Sequence, residues 1–488
     1  MPKPFYITTT LPYVNSDPHI GFAMEIVRAD AVARYKKLKG FDVFFNTGTD
    51  EHGMKIWQKA KEKGVSPKAY VDEWAEKFKQ LKTILHLDPE LHFIRTTDDY
   101  HEKSAREFWK VCSENGHIYK KNYKIKYCVG CELEKTESEL KDGKCPEHPN
   151  LSLEEIEEEN YFFRFSVFQK PLLELYAKKP DFVVPDFRFN EIKAFVERGL
   201  QDFSISRLKS KMPWGIEVPG DSEHVMYVWF DALVNYVSAI GWPHDMDKFE
   251  KWGRESGGMV QYCGKDNLRQ QSAMWQAMLM GAGLPNSGKV VVDGFITGEG
   301  GIKMSKSLGN TVNPAEIVAE YGAEALRYFL IREIHPFEDG PFTKDGFKNA
   351  YNAGLANGLG NLFARVMTMA EKNGFAFDDS LMADKSIFAQ TKKNHEDYAI
   401  GFEEFNLQKS ANAIWEIIAY LDQYIQKEQP FKKVKTDKSG AERDIKFLLA
   451  HLMKVGEMLK PMMPDTAEKI QTAIAENKKP AILFPRKE

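Results

Sequence analysis

The chain has little of what marks a secreted, membrane-bound or strongly cationic protein. Only five residues are cysteine. Three of them, Cys128, Cys131 and Cys145, crowd into one stretch, while Cys112 and Cys263 stand apart. The opening MPKPFYITTTLPY has no long apolar run after a basic stretch, so no signal peptide is expected. An odd cysteine count in such a chain argues against a disulfide framework. Cys112 and Cys263 are expected to be buried small apolar residues. No apolar run is long enough to span a bilayer. The formal net charge is only −4, so any contact with nucleic acid must come from local basic patches. Repeats and low-complexity linkers are also missing. The expectation is a soluble, cytoplasmic protein.

What is present is a large apolar fraction, 43% of 488 residues, which is too much for one core and enough for two to four domains. PFYITTT reads as a buried strand, and residues 21–38 as a helix ended by Gly40. FDVFFNT reads as a second strand, leading through the polar turn GTDEHG into another helix. MVQYCGKDNL repeats the strand-to-helix pattern, and KVVVDGFIT is a further strand before the glycine-rich, basic GEGGIKMSKSLGN. Alternation of this kind predicts a parallel sheet with helices on both faces. Residues 116–160 break the pattern and read as an insertion; their acidic run LEEIEEEN reads as a solvated face. From about residue 350 long helical periodicities take over, predicting an all-helical C-terminal domain. Residues 427–440, KEQPFKKVKTDKSG, are expected to form a mobile loop.

Two loops carry the chemistry. Asp17-Pro-His-Ile-Gly21 lies between the first strand and the first helix, where anions and nucleotides bind in doubly wound sheets. Gly21 permits close approach of a nucleotide and His19 offers a ring N–H to a phosphate. Lys303-Met-Ser-Lys-Ser307 supplies two lysines and two hydroxyls for a polyphosphate whose negative charge grows as pyrophosphate leaves. Alone, each also reads as an ordinary exposed loop.

Together they resemble the paired phosphate-binding signatures of class I aminoacyl-tRNA synthetases, although Phe22 stands where the first signature usually ends in His. TLPYVN, NTGTDEHG, EEENYFFRFS, SISR, GIEVPG, YVWFDALVNY, KMSKSLGN and YGAEALRYFL follow in the order of methionyl-tRNA synthetases over nearly the whole chain. The resemblance implies an α/β class I Rossmann catalytic domain, residues 1–115 and 225–294. Its zinc-binding connective insertion is residues 116–224. A stem-contact region, 295–348, carries the KMSKS loop, and an all-helical anticodon-binding domain is 349–488. It implies L-methionine, ATP with Mg²⁺, and tRNA(Met) as partners. Because the chain ends soon after the helical domain, a monomer is expected.

By the same resemblance, His19, Lys303 and Lys306 serve catalysis, and Gly21, Asp266, Ser305 and Ser307 join them in holding ATP. Leu11, Tyr13, Asp50, Trp229, Ala232, Leu233, Tyr236, Asn267 and Gln271 line the methionine site, with Arg207 closing near it. Asp50 suits the substrate ammonium; by themselves Trp229 and Tyr236 read as core. The family commonly has an apolar residue at 267 and His at 271. The amides of Asn267 and Gln271 either bond each other or face the ligand and shift selectivity. Phe22 cannot donate to a phosphate and is placed near the adenine. Asn361 and Arg365 match anticodon readers, with Pro430-Phe431 in place of Pro-Trp, and an exposed aromatic can stack on an unpaired base. Cys128-x-x-Cys131 and Cys145-x-x-His148 bring together four ligands that zinc prefers, with no position left for a reacting water. An alternative reading is a divergent paralogue that activates a related amino acid or has an altered inhibitor response. A third is an RNA-binding protein without catalysis.

Overall fold

A computed structural model describes residues 2–131, 133–135, 139–302, 304 and 311–488. The first strand, β1, is Pro4–Thr8, and helix α1 runs Ile20–Leu38. Strand β2, Asp42–Thr49, extends into the polar turn before helix α2, Met54–Lys63. Strand β3 is His92–Arg95, β4 is Val183–Val184, β5 is Val260–Gly264 and β6 is Lys289–Asp293. All six are parallel, in the order β3-β2-β1-β5-β6-β4. The chain moves one way from β1 through β2 to β3 and the other way through β5 and β6. Strand order therefore reverses between β1 and β5, and a ligand crevice belongs at their carboxyl ends.

Helix α1 has no polar face. Nearly every residue from Ile20 to Tyr35 is buried, including the charged Glu25, Arg28 and Asp30. Arg28 donates to the carbonyls of Leu330, Ile334, His335 and Pro336 and to Asp293 Oδ1 at 3.1 Å. On the other side of the helix, Asp30 Oδ2 accepts from Arg327 Nη2 at 2.7 Å, and Arg327 also reaches the carbonyls of Leu85, Pro461 and Met462. Burying the Arg28 and Arg327 guanidiniums is tolerable because carbonyls and a carboxylate meet each of them.

Segment 116–224 forms a four-stranded antiparallel sheet, but Val183–Val184 leaves it to join the main sheet as β4. The acidic run is a strand, Glu154–Phe163, paired with the lysine-bearing Ile118–Cys128. The register sets Lys126 opposite Glu155, and a cross-strand pair of opposite charge stabilises such a ribbon. Glu154, Glu155 and Glu159 of the run are exposed, as a solvated face requires, and Glu158 is buried.

Beyond Tyr351–Gly360, a stretch of π-helical turns, the chain is helical: Asn361–Asn373, Lys392–Glu403, Leu407–Glu428, Lys438–Leu459 and Pro464–Ala475 are its main helices. Residues 427–440 are not a loop. Pro430–Thr436 is a helix with proline in its first turn, and Asp437 caps the next helix by accepting from Gly440 N–H. Lys433 Nζ is 2.7 Å from both Glu428 and Asp444. Pro, Lys and Gly read as loop chemistry, and these tertiary partners override it. Among the described residues no helix is long and apolar enough to cross a membrane. Cys112 and Cys263 are fully buried.

Replacing Arg327 by Met leaves Asp30 facing the interior without its closest partner. A loss of about 3–5 kcal/mol is expected, read from the denaturant midpoint, with a smaller loss in the Asp30→Asn/Arg327→Met double variant than the two single losses predict.

Candidate active site and metal centre

A cavity of about 470 Å³ opens at the β1/β5 reversal. Its wall is built from the segments that come after four strands: Thr10–Tyr13 after β1, Asp50 after β2, Gly264, Asp266 and Asn267 after β5, and Asp293–Ile296 at the end of β6. His19 caps α1: its Nδ1 accepts from Gly21 N–H at 3.2 Å. With Nδ1 used as an acceptor, the neutral ring carries its proton on Nε2, as a phosphate ligand requires. Ile20 N–H donates to Val312 O at 2.9 Å. That bond draws the segment after the lysine-rich loop to the helix N-terminus, and Met304 and Thr311 line the cavity. Lys303, Ser305, Lys306 and Ser307 lie outside the described residues.

Leu11, Tyr13, Asp50, Trp229, Ala232, Leu233, Tyr236, Asn267 and Gln271 all line this one cavity. Asp50 is positioned by its neighbours. Glu51 is fully buried and takes a bidentate pair from Arg95, Nε at 2.7 Å and Nη2 at 2.8 Å. His52 Nδ1 lies 3.1 Å from Asp231 Oδ2, joining the end of β2 to the helix Val228–Leu233. At Gly53, φ is 113° and a Cβ would fall 2.6 Å from the Tyr13 hydroxyl, so only glycine lets Tyr13 take its place.

The amides of Asn267 and Gln271 do not bond each other. Asn267 Nδ2 donates to Asp266 Oδ1 at 3.2 Å, whereas Gln271, almost fully buried, accepts from Gln261 and donates to the Tyr236 hydroxyl at 2.7 Å. Gln271 lies in a π-helical turn, Gln270–Met274, and such turns recur at functional sites. Phe22 lines the cavity and meets Phe78 edge-to-face, with ring centroids 5.8 Å apart. Arg207 is not a cavity residue. Its guanidinium donates to Ser204 Oγ and Ser206 O and stacks on Tyr227 at 4.4 Å.

Two acidic residues of the cavity escaped the sequence reading. Glu25 Oε1 accepts from Thr10 N–H and Oγ1–H, both at 2.7 Å, yet burial pushes its carboxyl up to about 8. Burial raises Asp293 to about 6 against the pull of Arg28. The available signal was three charged residues, Glu25, Arg28 and Asp30, in a helix with no solvent face to receive them.

Cys128, Cys131, Cys145 and His148 place their ligand atoms within 4.8 Å of one another. Cys131 Sγ is 3.4 Å from Cys145 Sγ and 3.2 Å from His148 Nδ1. A tetrahedron with metal–sulfur bonds of about 2.3 Å and metal–nitrogen bonds of about 2.0–2.1 Å has edges of this size, so the donor set fits zinc. A Cβ on Gly130 would sit 2.4 Å from the His148 ring. Lys55 Nζ donates to Gly130 O at 2.9 Å, and Cys131 lines the cavity. The turn that carries Cys128 and Cys131 thus forms part of the cavity wall.

A family model described as tRNA synthetases class I (M) matches residues 5–152 and 149–367, and one described as the anticodon binding domain of methionyl tRNA ligase matches 378–483. The methionine–tRNA ligase of Thermotoga maritima is 41% identical over 98% of this chain and 76% of its own length. That of Brucella suis is 39% identical over 96% of this chain and 92% of its own. The Mycobacterium tuberculosis methionyl-tRNA synthetase in complex with methionyl-adenylate superposes with a TM-score of 0.89 at 33% identity, covering 99% of this chain and 97% of that one. The chain belongs to the methionyl-tRNA synthetases.

The residues matched to anticodon readers of methionyl-tRNA synthetases lie on two helices of the C-terminal domain. Asn361 is exposed at the start of one, and Arg365, one turn on, pairs with Asp422 at 2.5 Å. Pro430 is buried, and Phe431 is 49% exposed.

The raised Glu25 carboxyl has a measurable consequence. Its folded pKa lies above the usual 4.5, so the native state keeps a proton that the unfolded chain releases. The resulting stability is complete below about 4.5 and is lost as pH rises through about 8. In ligand-free protein the melting temperature of Glu25→Gln should gain on the parent across that window; a difference that stays constant with pH would refute the buried proton.

Proposed function

We propose that this chain is a methionine–tRNA ligase, which activates L-methionine with ATP and transfers the methionyl group to the 3′ end of tRNA(Met). The observation that carries this reading is the meeting, in one cavity at the strand reversal, of the His19–Gly21 helix terminus, Asp266 and all nine residues assigned to methionine. Asp50 pairs with the substrate ammonium. Trp229 and Tyr236 wall in the thioether, whose sulfur gains about 0.3–1.5 kcal/mol from aromatic contacts. Asp266 holds the ribose, and His19 and Gly21 meet the phosphates, with Lys303, Ser305, Lys306 and Ser307 serving the departing pyrophosphate.

The methionine carboxylate attacks the α-phosphorus, and the bond to the bridging oxygen of pyrophosphate breaks. The terminal ribose hydroxyl of the tRNA then attacks the adenylate carbonyl and releases AMP. Phosphoryl chemistry of this kind needs positioning and electrostatics, and no covalent nucleophile. Mg²⁺ arrives with ATP, and Cys128, Cys131, Cys145 and His148 hold a structural zinc. The domains follow the division 1–115 with 225–294, 116–224, 295–348 and 349–488, with the β4 strand of the insertion lent to the sheet. The match over residues 378–483 favours a translational enzyme over a paralogue that never meets an anticodon.

Methionine-dependent ATP–pyrophosphate exchange by the purified protein tests the reading: exchange with methionine is expected, and exchange with another amino acid alone would overturn it. Phe431→Ala should leave exchange unchanged. It should lower kcat/KM for tRNA charging by a factor corresponding to about 1–3 kcal/mol of lost stacking; unaltered charging would remove Phe431 from the anticodon site. One zinc per chain is expected by metal analysis, lost in Cys145→Ala.

A further inference from the structure

Behind the cavity lies a buried ion pair to which the reaction gives no part. His52 is 2% exposed and Asp231 0%, and His52 Nδ1 is 3.1 Å from Asp231 Oδ2. Neither Asp231 oxygen has a hydrogen-bond partner among the described residues. The other titratable groups facing the pair supply no counter-charge for Asp231. Glu51, beside His52 in the chain, is bound by Arg95, and Glu102, from the helix Asp99–Glu114, is bound by Arg106 at 2.9 Å. His101, on that same helix, is uncharged: burial, then His52, lowers its pKa to about 3, and its Nδ1 meets Ser238 Oγ at 3.0 Å. The Trp214 ring lies 5.5 Å from the His52 imidazole. Burial opposes the charge on His52, yet Asp231, with Glu102 and Glu51, holds its pKa above the usual 6.5. Burial raises Asp231 against the pull of His52. The two side chains therefore keep one proton between them at 6.5 and release it at a higher pH.

The two partners belong to different walls. His52 follows Asp50 by two residues, in a segment anchored by main-chain bonds from Asp50 N–H to Pro12 O at 3.0 Å and from Val14 N–H to Asp50 O at 3.2 Å. Asp231 belongs to the helix Val228–Leu233, which has six residues and no side-chain cap and carries Trp229, Ala232 and Leu233 to the cavity. We propose that His52 and Asp231 are positioning residues: the ion pair draws the Trp229 helix to the Asp50 segment and sets the span between the carboxylate that takes the methionine ammonium and the wall that takes its side chain. The inference rests on the methionine reading of the cavity. When the shared proton leaves, Asp231 is a carboxylate out of water with its counter-charge gone, a state strongly disfavoured in a folded protein. The strand end is held by its main-chain bonds, so the short helix is the part that gives, and methionine binds less tightly.

ATP–pyrophosphate exchange between about pH 6 and 9 is the readout, with KM taken separately for methionine and for ATP and with melting temperature as the control for folding. The comparison is between the parent and Asp231→Asn, which has no carboxylate to leave unpaired; the substrate ammonium and Asp50 titrate alike in both. The ratio of the two KM values for methionine, parent over variant, should climb about tenfold with rising pH. That is equivalent to a one-unit difference in the pKa of the pair between free and methionine-bound protein. The same ratio for ATP should stay level. If Asp231→Asn does not fold, calorimetry on the parent decides: methionine binding, measured above pH 6.5 in two buffers of different ionisation heat, should take up protons. A methionine ratio that stays level, a climb shared equally by ATP, or binding without proton uptake overturns the proposal. Absence of methionine-dependent exchange in the parent protein overturns the function itself.

Discussion

Two guanidinium groups, buried on either side of α1, bind the catalytic sheet to the helices on its C-terminal side. Arg28 gathers the carbonyls at the end of the 329–336 turn, and Arg327 those at the end of the helix Lys438–Leu459. Helix carboxyl ends carry unsatisfied carbonyls and partial negative charge, so a buried cation there is compensated by groups that would otherwise be orphaned. The carboxylates of Asp293 and Asp30 complete the neutralisation. Removing any one member exposes the rest to an uncompensated interior, which is why the arrangement acts as a unit.

That clasp determines where the chemistry stands. α1 carries His19 and Gly21 at its amino end and Glu25 one and a half turns on, while Asp293 touches Arg28 from the end of β6. The position of the helix amino terminus relative to the carboxyl ends of β1, β5 and β6 is therefore set by contacts made deep beneath the cavity. A reaction that depends on holding a carboxylate in line with a phosphorus gains from such rigidity, because a displacement of about an ångström erodes the advantage of proximity. The cysteine-bearing turn adds a second constraint, through the bond from Lys55 to Gly130.

Most of this was legible where residues act through local chemistry. Strand–helix alternation, the His19 loop and the cysteine spacing each depend on neighbours in the sequence, and the structure gathers them as expected. What escaped depends on partners that the pattern of a single segment does not reveal. Residues 427–440 look like a loop because proline, lysine and glycine favour one, yet Lys433 finds Glu428 and Asp444 and the segment coils. Asn267 and Gln271 are four apart and suit each other by spacing, but Tyr236 and Gln261 lie closer to Gln271 in space. Glu25 and Asp293 were missed because a carboxylate in an apolar helix or strand shows its role only once its surroundings are known.

The use of uncharged groups behind Tyr236 is itself informative. A titratable ring at position 271 would exchange donor and acceptor roles with protonation, and the direction imposed on Tyr236 would then vary with pH. Amides and a serine hydroxyl have no such freedom near neutrality. Their orientation here is pinned by main-chain groups, the Ser287 N–H and the Gln271 carbonyl, which fix the Gln276 amide and through Ser287 and Gln261 that of Gln271. The arrangement costs little, since each amide along it is paired. The acidic groups of the cavity, Glu25, Asp50, Asp266 and Asp293, come from other segments. The wall that carries Tyr236 and Gln271 is thereby left uncharged and directional.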